Sequence, residues 1–345
     1  MTSAPSVASR PRRLAFLGCA HIHTDRYVRL IGQRADVTTA WVWDHDGERA
    51  SRYAAATGAA PAPGPSTVLA DPQVDGVVVC AETVRQRDLV LAAVRAGKHI
   101  FVEKPFGLAA SDADEMAAAV DAAGITFQAG YFHRGHPANR FLHGEIERGH
   151  LGRLTRARVS MTHAGALEGW FDGDWRWMAD REQAGFGGFG DMALHAVDVL
   201  LWLLAGERRL CRVTASVSAV SGRYEPCDEY GEGLLVFDDG VMATVAAGWA
   251  SVGNPVTLEL CGTEGHAHVV NDRLYYRSRH VEGASGREAW QDLPDALPHA
   301  FDLFCDALAG RSDVELVGAR EAAARSAVAR ALDQAARDGA WIALG

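Results

Sequence analysis

Lysine is almost absent from this chain of 345 residues. Its 34 basic residues include only two lysines, Lys98 and Lys104, so arginine carries nearly all of the positive charge. A guanidinium stays protonated under accessible conditions, whereas an ammonium is a compact charge that can share or release a proton. Lys104 follows an apolar run and precedes a proline, where a buried strand should end. We therefore take Lys104 as the first candidate for chemistry, against the alternative of a solvated lysine at a strand end.

Other features that the sequence lacks exclude several classes of protein. The chain has no excess of basic charge, since its net charge is −10. A negative net charge disfavours nucleic acid or an anionic membrane as a partner. No apolar run approaches the roughly 18 residues that span a bilayer. The first dozen residues lack the apolar segment of a signal peptide and are expected to form a disordered tail. The six cysteines show no CxxC pair, which suits a reducing compartment, so we expect a soluble cytoplasmic protein.

Two domains are predicted from length and from a change of pattern along the chain. Over residues 13–134, short apolar runs alternate with helical segments, which predicts an α/β Rossmann domain with a parallel sheet. Ligands of such sheets bind at the carboxyl ends of the strands. Over residues 135–345, apolar runs separated by hairpin turns predict an α+β domain with a large, mostly antiparallel sheet.

The turn after the first predicted strand is a weak dinucleotide fingerprint. It runs Gly18-Cys-Ala-His-Ile-His23, so only the first glycine of G-x-G-x-x-G is kept, although Ala20 is small enough for a pyrophosphate to approach. Asp44 ends the second predicted strand, where a carboxylate accepts a hydrogen bond from a ribose 2′-OH and repels a 2′-phosphate. The alternative for Asp44 is an ordinary loop residue beside Asp46. Together these features predict dinucleotide binding, with NAD preferred to NADP.

His21 and His23 also permit a different interpretation, as metal ligands at a strand end of a barrel hydrolase. Such a site needs further ligands at later strand ends. Cys80, Ala81 and Thr83 occupy the next clear strand end and do not supply a matching set. We therefore expect no metal here.

A second chemical signal lies on the helix predicted over residues 191–204. Asp191, His195 and Asp198 share one face of this apolar helix, and buried polar groups need partners. The structural alternative is an N-cap at Asp191 and a hydrogen-bonded core histidine. The glycines before the helix would let a ligand approach its N-terminus, which favours a functional site.

These motifs together resemble those of the Gfo/Idh/MocA oxidoreductases, a family that includes glucose–fructose oxidoreductase and inositol dehydrogenase. The resemblance rests on Glu103-Lys104-Pro105 and on the segment from Gly187 to Asp198, GGFGDMALHAVD. It is supported by the Ala96-Gly-Lys-His sequence before the Glu-Lys-Pro strand, the Gly149-x-x-Gly152 turn and a Gly262-Thr-Glu-Gly265 hairpin, and it extends from about Leu14 to the end.

The resemblance implies an oxidoreductase that moves a hydride between NAD(P) and one carbon of a sugar or cyclitol. It also implies an open sheet used for oligomerisation, as a homodimer or homotetramer, and an active site between the domains. Lys104 would bind the reacting oxygen, Asp191 a neighbouring hydroxyl, and His195 would exchange the hydroxyl proton. The implied substrate contacts are Lys104, Asp191 and His195, and Tyr131 is predicted to join them. Trp175 is also predicted to contact the substrate, because the aromatic loop at 170–177 suits a polyhydroxylated molecule; the alternative is that its tryptophans only pack between the domains. The implied cofactor contacts are Gly18, Ala20, His21, Ile22, Asp44, Cys80, Ala81, Glu103 and Lys104.

The sequence departs from the family pattern at the cofactor turn. Ala20 and His23 replace two fingerprint glycines, and Ala81-Glu82-Thr83 stands where the family usually has Thr-Pro-Asn. The details of the cofactor contacts are therefore open. Two alternatives to a dehydrogenase also remain: a redox-cycling enzyme that cleaves glycosides and returns the hydride in each cycle, and a non-catalytic protein that senses a dinucleotide or sugar.

Overall fold

The computed structural model describes residues 10–204, 206 and 208–344 and divides the chain into two compact units. The first unit contains residues up to Glu103, Met116–Gly130 and Ala300–Ala319. The second contains Lys104–Glu115, Tyr131–His299 and the residues from Arg320 onward. Most of the tail expected at residues 1–12 lies outside the described residues, and the first strand already begins at Arg12.

The first unit is built on a six-stranded parallel sheet. Its strands are β1 (Arg12–Cys19), β2 (Val37–Trp43), β3 (Ala60–Pro61), β4 (Gly76–Cys80), β5 (His99–Val102) and β6 (Phe127–Ala129), in the order β3-β2-β1-β4-β5-β6. The helices between them are α1 (Thr24–Gly32), α2 (Gly47–Thr57), α3 (Pro65–Ala70), α4 (Thr83–Arg95) and α5 (Ala110–Ala123).

Burial explains why this sheet follows the apolar runs of the sequence. Every residue of β4 is buried, as are the last six residues of β1. Strands buried on both faces need continuous apolar runs, which is the signature of a parallel sheet covered by helices. The prediction of a Rossmann-type α/β fold is confirmed.

The second unit contains a nine-stranded sheet. Its strands are β7 (Leu154–Thr162), β8 (Leu210–Ser218), β9 (Tyr230–Phe237), β10 (Met242–Gly248), β11 (Val256–Gly262), β12 (Gly265–Val270), β13 (Arg273–Ser278), β14 (Ser285–Ala289) and β15 (Ile342–Ala343), in the order β14-β13-β12-β11-β7-β10-β9-β8-β15. Strands β7 and β10 pair in parallel and the other neighbours are antiparallel. The predicted, mostly antiparallel sheet is confirmed.

The remaining helices are α6 (Pro137–Glu147), α7 (Gly165–Glu168), α8 (Arg181–Ala184), α9 (Gly188–Leu203), α10 (Ala300–Leu308) and α11 (Ala319–Asp338). Short 3₁₀ segments occupy His133–Gly135, Trp170–Asp172 and Arg176–Ala179. Helix α10 belongs to the first unit, although most of the chain that precedes it belongs to the second.

Helix α9 is the core helix of the second unit and packs on β7 and β10. The stretch Arg181–Leu203, which contains it, is long and apolar enough to cross a membrane by length and composition alone. However, 83% of the most apolar 18-residue segment in this stretch is buried inside the protein. Its apolar surface is therefore used in packing.

Candidate active site and cofactor site

Lys104 lies just beyond β5, and its ammonium is buried against a carboxylate. The side chain is only 2% exposed, and Nζ donates to Oδ1 of Asp191 at 2.6 Å. The other carboxylate oxygen, Oδ2, accepts a hydrogen bond from the indole Nε1 of Trp249 at 3.0 Å. Trp249 is fully buried, so its ring holds the carboxylate in one orientation. The structure thus joins two of the predicted catalytic residues and adds a third partner.

Asp191 is not the N-cap of α9. The helix begins at Gly188, with Gly187 as its N-cap, and Asp191 lies within the first turn. The helix N-terminus is satisfied by Asp228, whose Oδ2 accepts from the backbone N–H of Phe189 at 2.9 Å. Burial raises the pKa of the Asp228 carboxyl, and backbone N–H donors oppose that effect. The structural alternative for Asp191 was therefore wrong, because a residue from a distant loop caps this helix.

The glycines at the start of α9 allow close packing within the protein. A Cβ on Gly187 would lie 2.1 Å from the carboxylate of Asp228, and one on Gly190 would lie 2.3 Å from the ring of Phe186. Such distances are far below van der Waals contact, so only glycine fits. The interpretation that these glycines admit a ligand is wrong for the two positions, since protein atoms fill the space.

His195 lies one turn after Asp191 on the same face of α9 and is 3% exposed. Its ring centroid is 5.0 Å from that of His133, 5.4 Å from that of Phe132 and 6.2 Å from that of Tyr131. The structure therefore brings predicted Tyr131 to His195. Trp175 is half-buried before a 3₁₀ segment, and among the described residues no ring contact or side-chain hydrogen bond connects it to this group.

Asp198, the third polar residue on this face, is held by arginines. Its carboxylate accepts from Nε of Arg134 at 3.0 Å and from Nε of Arg325 at 3.2 Å. Both guanidinium groups also contact Glu321, at 3.3 and 3.1 Å. Burial acts to lower the pKa of Arg134, but the hydrogen bond and charge of Asp198 outweigh it, so the pKa is raised. Asp198 belongs to a structural ion cluster.

The turn after β1 lies against the carboxyl end of β4. Gly18 has φ +84°, and a Cβ there would lie 2.4 Å from Cβ of Ala81, so this position requires glycine. The backbone N–H of His21 donates to the carbonyl of Cys80 at 2.9 Å. The residues predicted to contact a cofactor at this turn are thereby gathered at one edge of the sheet: Gly18, Ala20, His21, Ile22, Cys80 and Ala81.

Asp44 lies at the end of β2, as predicted, but its carboxylate is already engaged by the protein. Arg49 binds it through two N–H groups, Nε to Oδ2 at 2.9 Å and Nη2 to Oδ1 at 2.8 Å. The backbone N–H of Cys19 donates to Oδ2 at 2.6 Å. The predicted contact between Asp44 and a ribose must therefore compete with these bonds.

Two buried polar atoms at the end of β4 make no hydrogen bond with any residue that the structure describes: Oε2 of Glu82 and Oγ1 of Thr83. Buried polar atoms are ordinarily hydrogen-bonded, and exceptions indicate a missing partner. Their position at the carboxyl edge of a Rossmann sheet, beside the Gly18 turn, suits a ligand with hydroxyl groups. The residues present thus fit a dinucleotide.

Glu103 makes no exposed contact surface for a cofactor, because its side chain is completely buried. Its Oε1 is bound by the hydroxyl of Tyr27 and by Nδ1 of His23, the latter at 2.8 Å. Burial, followed by the charge of Glu103, raises the pKa of Tyr27, which keeps the hydroxyl a donor. His23 replaces the third fingerprint glycine, and this pairing gives that replacement a structural role.

His21, His23 and Glu103 place three metal-ligand atoms within 4.8 Å of one another. Glu103, which follows β5, supplies the third ligand atom from a further strand end. The backbone N–H of His23 donates to Nδ1 of His21 at 3.2 Å, so a neutral His21 carries its proton on Nε2, the nitrogen 3.8 Å from Glu103. A metal ligand needs the reverse, with a lone pair toward the ion and the other N–H donated outward. The cluster therefore suits a hydrogen-bonded carboxylate better than a metal ion.

Sequence reasoning missed Trp249, Asp228 and Arg49. Trp249 and Asp228 contact α9 from positions far away in the sequence, so no local sequence pattern predicts these contacts. Arg49 was easier to predict, because it follows Asp44 by five residues and lies in the first turn of α2. Asp46 caps that helix by accepting from the backbone N–H groups of residues 48 and 49. An arginine at that distance from a strand-end aspartate is a signal that could have been used.

Dinucleotide-binding Rossmann proteins have a parallel sheet with a glycine turn after its first strand. This chain has both, and at the carboxyl edge of the sheet the buried atoms Oε2 of Glu82 and Oγ1 of Thr83 make no hydrogen bond with the described residues. Residues 12–131 match the model of the oxidoreductase family with an NAD-binding Rossmann fold, and residues 140–268 match the GFO/IDH/MocA C-terminal domain. The chain belongs to the Gfo/Idh/MocA family. The predicted NAD-binding domain is confirmed.

Individual relatives agree with this assignment. The chain is 33% identical to 1,5-anhydro-D-fructose reductase of Ensifer adhaerens over 198 residues, a match that covers only 57% of each chain. It is 26% identical to scyllo-inositol 2-dehydrogenase (NAD(+)) of Bacillus subtilis strain 168, over 70% of this chain and 67% of that one. The WlbA dehydrogenase of Bordetella pertussis, crystallised with NADH and UDP-GlcNAcA, superposes with a TM-score of 0.80 over 99% of both chains at 23% identity, which shows the same fold.

Proposed function

We propose that this chain is an NAD-dependent oxidoreductase that acts on a CH–OH or keto carbon of a sugar or cyclitol. In this proposal the first unit binds the cofactor and the second binds the substrate. The observation that carries it is the buried pair of Lys104 and Asp191, joined at 2.6 Å and placed one helical turn from His195. The matched relatives that are named as a sugar reductase and an inositol dehydrogenase support the substrate class.

In alcohol oxidation, Lys104, Asp191 and His195 would each have a different role. Lys104 donates a hydrogen bond to the reacting oxygen, where its positive charge favours the developing alkoxide. Asp191 orients the ammonium and accepts a hydrogen bond from a neighbouring hydroxyl. His195 removes the hydroxyl proton, or returns it in the reverse direction, since an imidazole titrates near neutral pH.

The cofactor would be held in the first unit by the Gly18 turn and by polar groups at the end of β4. When bound, nicotinamide supplies the acceptor or donor of the hydride. The chain's own contribution is to hold the substrate oxygen, to manage its proton and to keep the carbon oriented.

The test is steady-state turnover with NAD and a panel of sugars and inositols, in the native chain and in two lysine variants. Lys104→Met should lower kcat/KM by about a thousandfold, the scale of removing an electrostatic donor from an active site. Lys98→Met is the matched control, because Lys98 donates to the carbonyls of Asp71 and Val74 within the first unit and should leave turnover nearly unchanged.

The outcomes separate the candidate functions. If the native chain forms one NADH for each substrate molecule oxidised, and Lys104→Met does not, the dehydrogenase is supported. Substrate cleavage with only catalytic NAD and no accumulation of NADH would replace it with a redox-cycling enzyme. Binding of NAD and sugar without turnover, unchanged in Lys104→Met, would refute both and leave a sensor.

A further inference from the structure

Asp44 has little acceptor capacity left for a ligand. A carboxylate offers about four lone-pair sites for hydrogen bonds. Oδ1 accepts from Asp46 N at 2.9 Å and from Nη2 of Arg49 at 2.8 Å, while Oδ2 accepts from Cys19 N at 2.6 Å and from Nε of Arg49 at 2.9 Å. These four donors fill the carboxylate and partly neutralise it. Asp44 therefore holds β1, β2 and α2 together.

Glu82 is a second buried carboxylate in the same cluster. It lies at the end of β4, is 4% exposed, and accepts through Oε1 from Nη2 of Arg49 at 2.9 Å. The same Arg49 nitrogen thus bridges Glu82 and Asp44. Although Glu82 occupies the N-cap position of α4, its side chain does not cap the helix. The strand-end turn directs this carboxylate toward the arginine.

The second oxygen of Glu82 keeps acceptor capacity. Oε2 accepts no hydrogen bond from any of residues 10–204, 206 and 208–344. It faces Nδ1 of His45 and Nε of Arg85, each at 3.5 Å. Those two side chains are 36% and 46% exposed, so a ligand can displace them at small cost. Glu82, unlike Asp44, can therefore accept from a ribose hydroxyl.

Charge gives the same residue a role in rejecting NADP. Two buried carboxylates, Asp44 and Glu82, share the guanidinium of Arg49, whose side chain is 11% exposed. The guanidinium of Arg85, 3.5 Å from Glu82, is 46% exposed and therefore screened by solvent, so the buried part of the cluster carries a net negative charge. A 2′-phosphate brought to this group meets like charge, and like-charge contact is an effective way to exclude the wrong ligand. Removing the Glu82 charge would leave a neutral Asp44–Arg49 pair.

We propose that Glu82, and not Asp44, is the carboxylate that accepts from the adenosine ribose and discriminates NAD from NADP. The inference rests on the proposed function, since it concerns the cofactor of that site. It assigns a purpose to a position where the chain departs from the Thr-Pro-Asn pattern of its family. The position that the fingerprint indicates, Asp44, is assigned a structural role.

The experiment is a calorimetric titration with four probes: NAD, NADP, 5′-AMP and 2′,5′-ADP. The last two isolate the adenosine half with and without the 2′-phosphate and need no turnover. Glu82→Gln should shift the ratio of affinities toward the 2′-phosphorylated probe of each pair by about tenfold or more, as expected for removing one charge near a phosphate. Asp88→Asn, an equal charge change at an exposed position of α4, should leave the ratio unchanged.

Two further variants keep the inference falsifiable if Glu82→Gln folds poorly. Arg49→Gln leaves both carboxylates uncompensated and should move the ratio in the opposite direction, toward NAD. Asp44→Asn should lower the melting temperature and weaken NAD and NADP by similar factors. Thermal unfolding of each variant checks that the fold is retained.

Each outcome decides a different statement. NAD binding with a ratio unchanged in Glu82→Gln, or a larger shift in Asp44→Asn than in Glu82→Gln, overturns the inference and leaves the proposed function standing. If no probe binds the native chain at millimolar concentration, both fail. A shift toward the 2′-phosphorylated probes in Glu82→Gln, with Asp88→Asn unchanged and a smaller shift in Asp44→Asn, supports the assignment.

Discussion

Two buried aspartates on α9, Asp191 and Asp198, differ in the cations that neutralise them. Asp191 meets the ammonium of Lys104 and the indole of Trp249. Asp198, two helical turns further along the same face, lies between the guanidinium groups of Arg134 and Arg325. The helix is the same and both carboxylates are buried, so the two positions differ in their partners: an ammonium and an indole at Asp191, two guanidinium groups at Asp198.

The difference shows how an arginine-rich chain uses its rare lysine. A guanidinium binds a carboxylate with a rigid fork and keeps its charge, which suits a fixed structural cluster. Asp44 follows the same rule, because Arg49 binds it through two N–H groups. An ammonium has rotatable donors and can exchange a proton, which suits contact with a reacting oxygen. The comparison predicts that exchanging or removing these partners will affect chemistry at Asp191 and stability at Asp198.

The variant with the largest expected effect on the contrast between Asp191 and Asp198 replaces Lys104 with arginine. Lys104→Arg keeps the charge but introduces a larger planar group that is mispositioned for the substrate oxygen. We expect kcat/KM to fall by about a hundredfold to a thousandfold, because displacements near 1 Å have effects of that size. The melting temperature should change little, as the ion pair with Asp191 is retained.

The matched control is Arg325→Lys, the reverse exchange at Asp198. It should leave kcat/KM within about twofold, since this arginine does not contact the proposed reacting groups. Retention of more than a tenth of the activity by Lys104→Arg would show that the position needs only a positive charge, and the contrast between the two aspartates would lose its functional meaning.

A second test removes each aspartate in turn and measures unfolding in urea. Asp198→Ala leaves two buried guanidinium groups without their main partner and should cost about 3 kcal/mol. Asp191→Ala should cost about half as much, because it leaves one buried cation without its partner instead of two. Equal losses for the two variants would contradict the proposed difference between the cations.

These contrasts explain which parts of the molecule could be predicted from the sequence. Apolar runs such as Gly76–Cys80 reveal buried strands because burial on both faces imposes a continuous local pattern. The predicted apolar runs did not extend to β13 and β14, the last two strands at one end of the nine-stranded sheet, since their exposed positions carry polar and charged residues. Motif spacing was enough to predict Lys104, Asp191 and His195 as site residues. Their partners could not be predicted in this way, because pairing across distant segments leaves no periodic signal.

The N-cap at α9 shows the same limit in one residue. An aspartate near the start of a helix is ordinarily a good capping candidate. Here the backbone N–H of Phe189 is satisfied by Asp228, so Asp191 is released to bind Lys104. The local rule was sound, and a tertiary contact displaced it.

The smallest expected effect tests whether Asp191 depends on its second partner. Trp249→Phe removes the indole N–H that donates to Oδ2 and retains a ring that can pack on Phe171, whose centroid is 4.2 Å from that of Trp249. We expect kcat/KM to fall about tenfold, the equivalent of roughly 1.4 kcal/mol for a hydrogen bond to a charged group. Trp170→Phe is the matched control, because its indole also donates to a carboxylate, that of Glu168 at 2.9 Å, but at an exposed site. If both variants lose the same activity, indole removal acts through general packing; if only Trp249→Phe does, the orientation of Asp191 is part of how Lys104 is presented to the substrate.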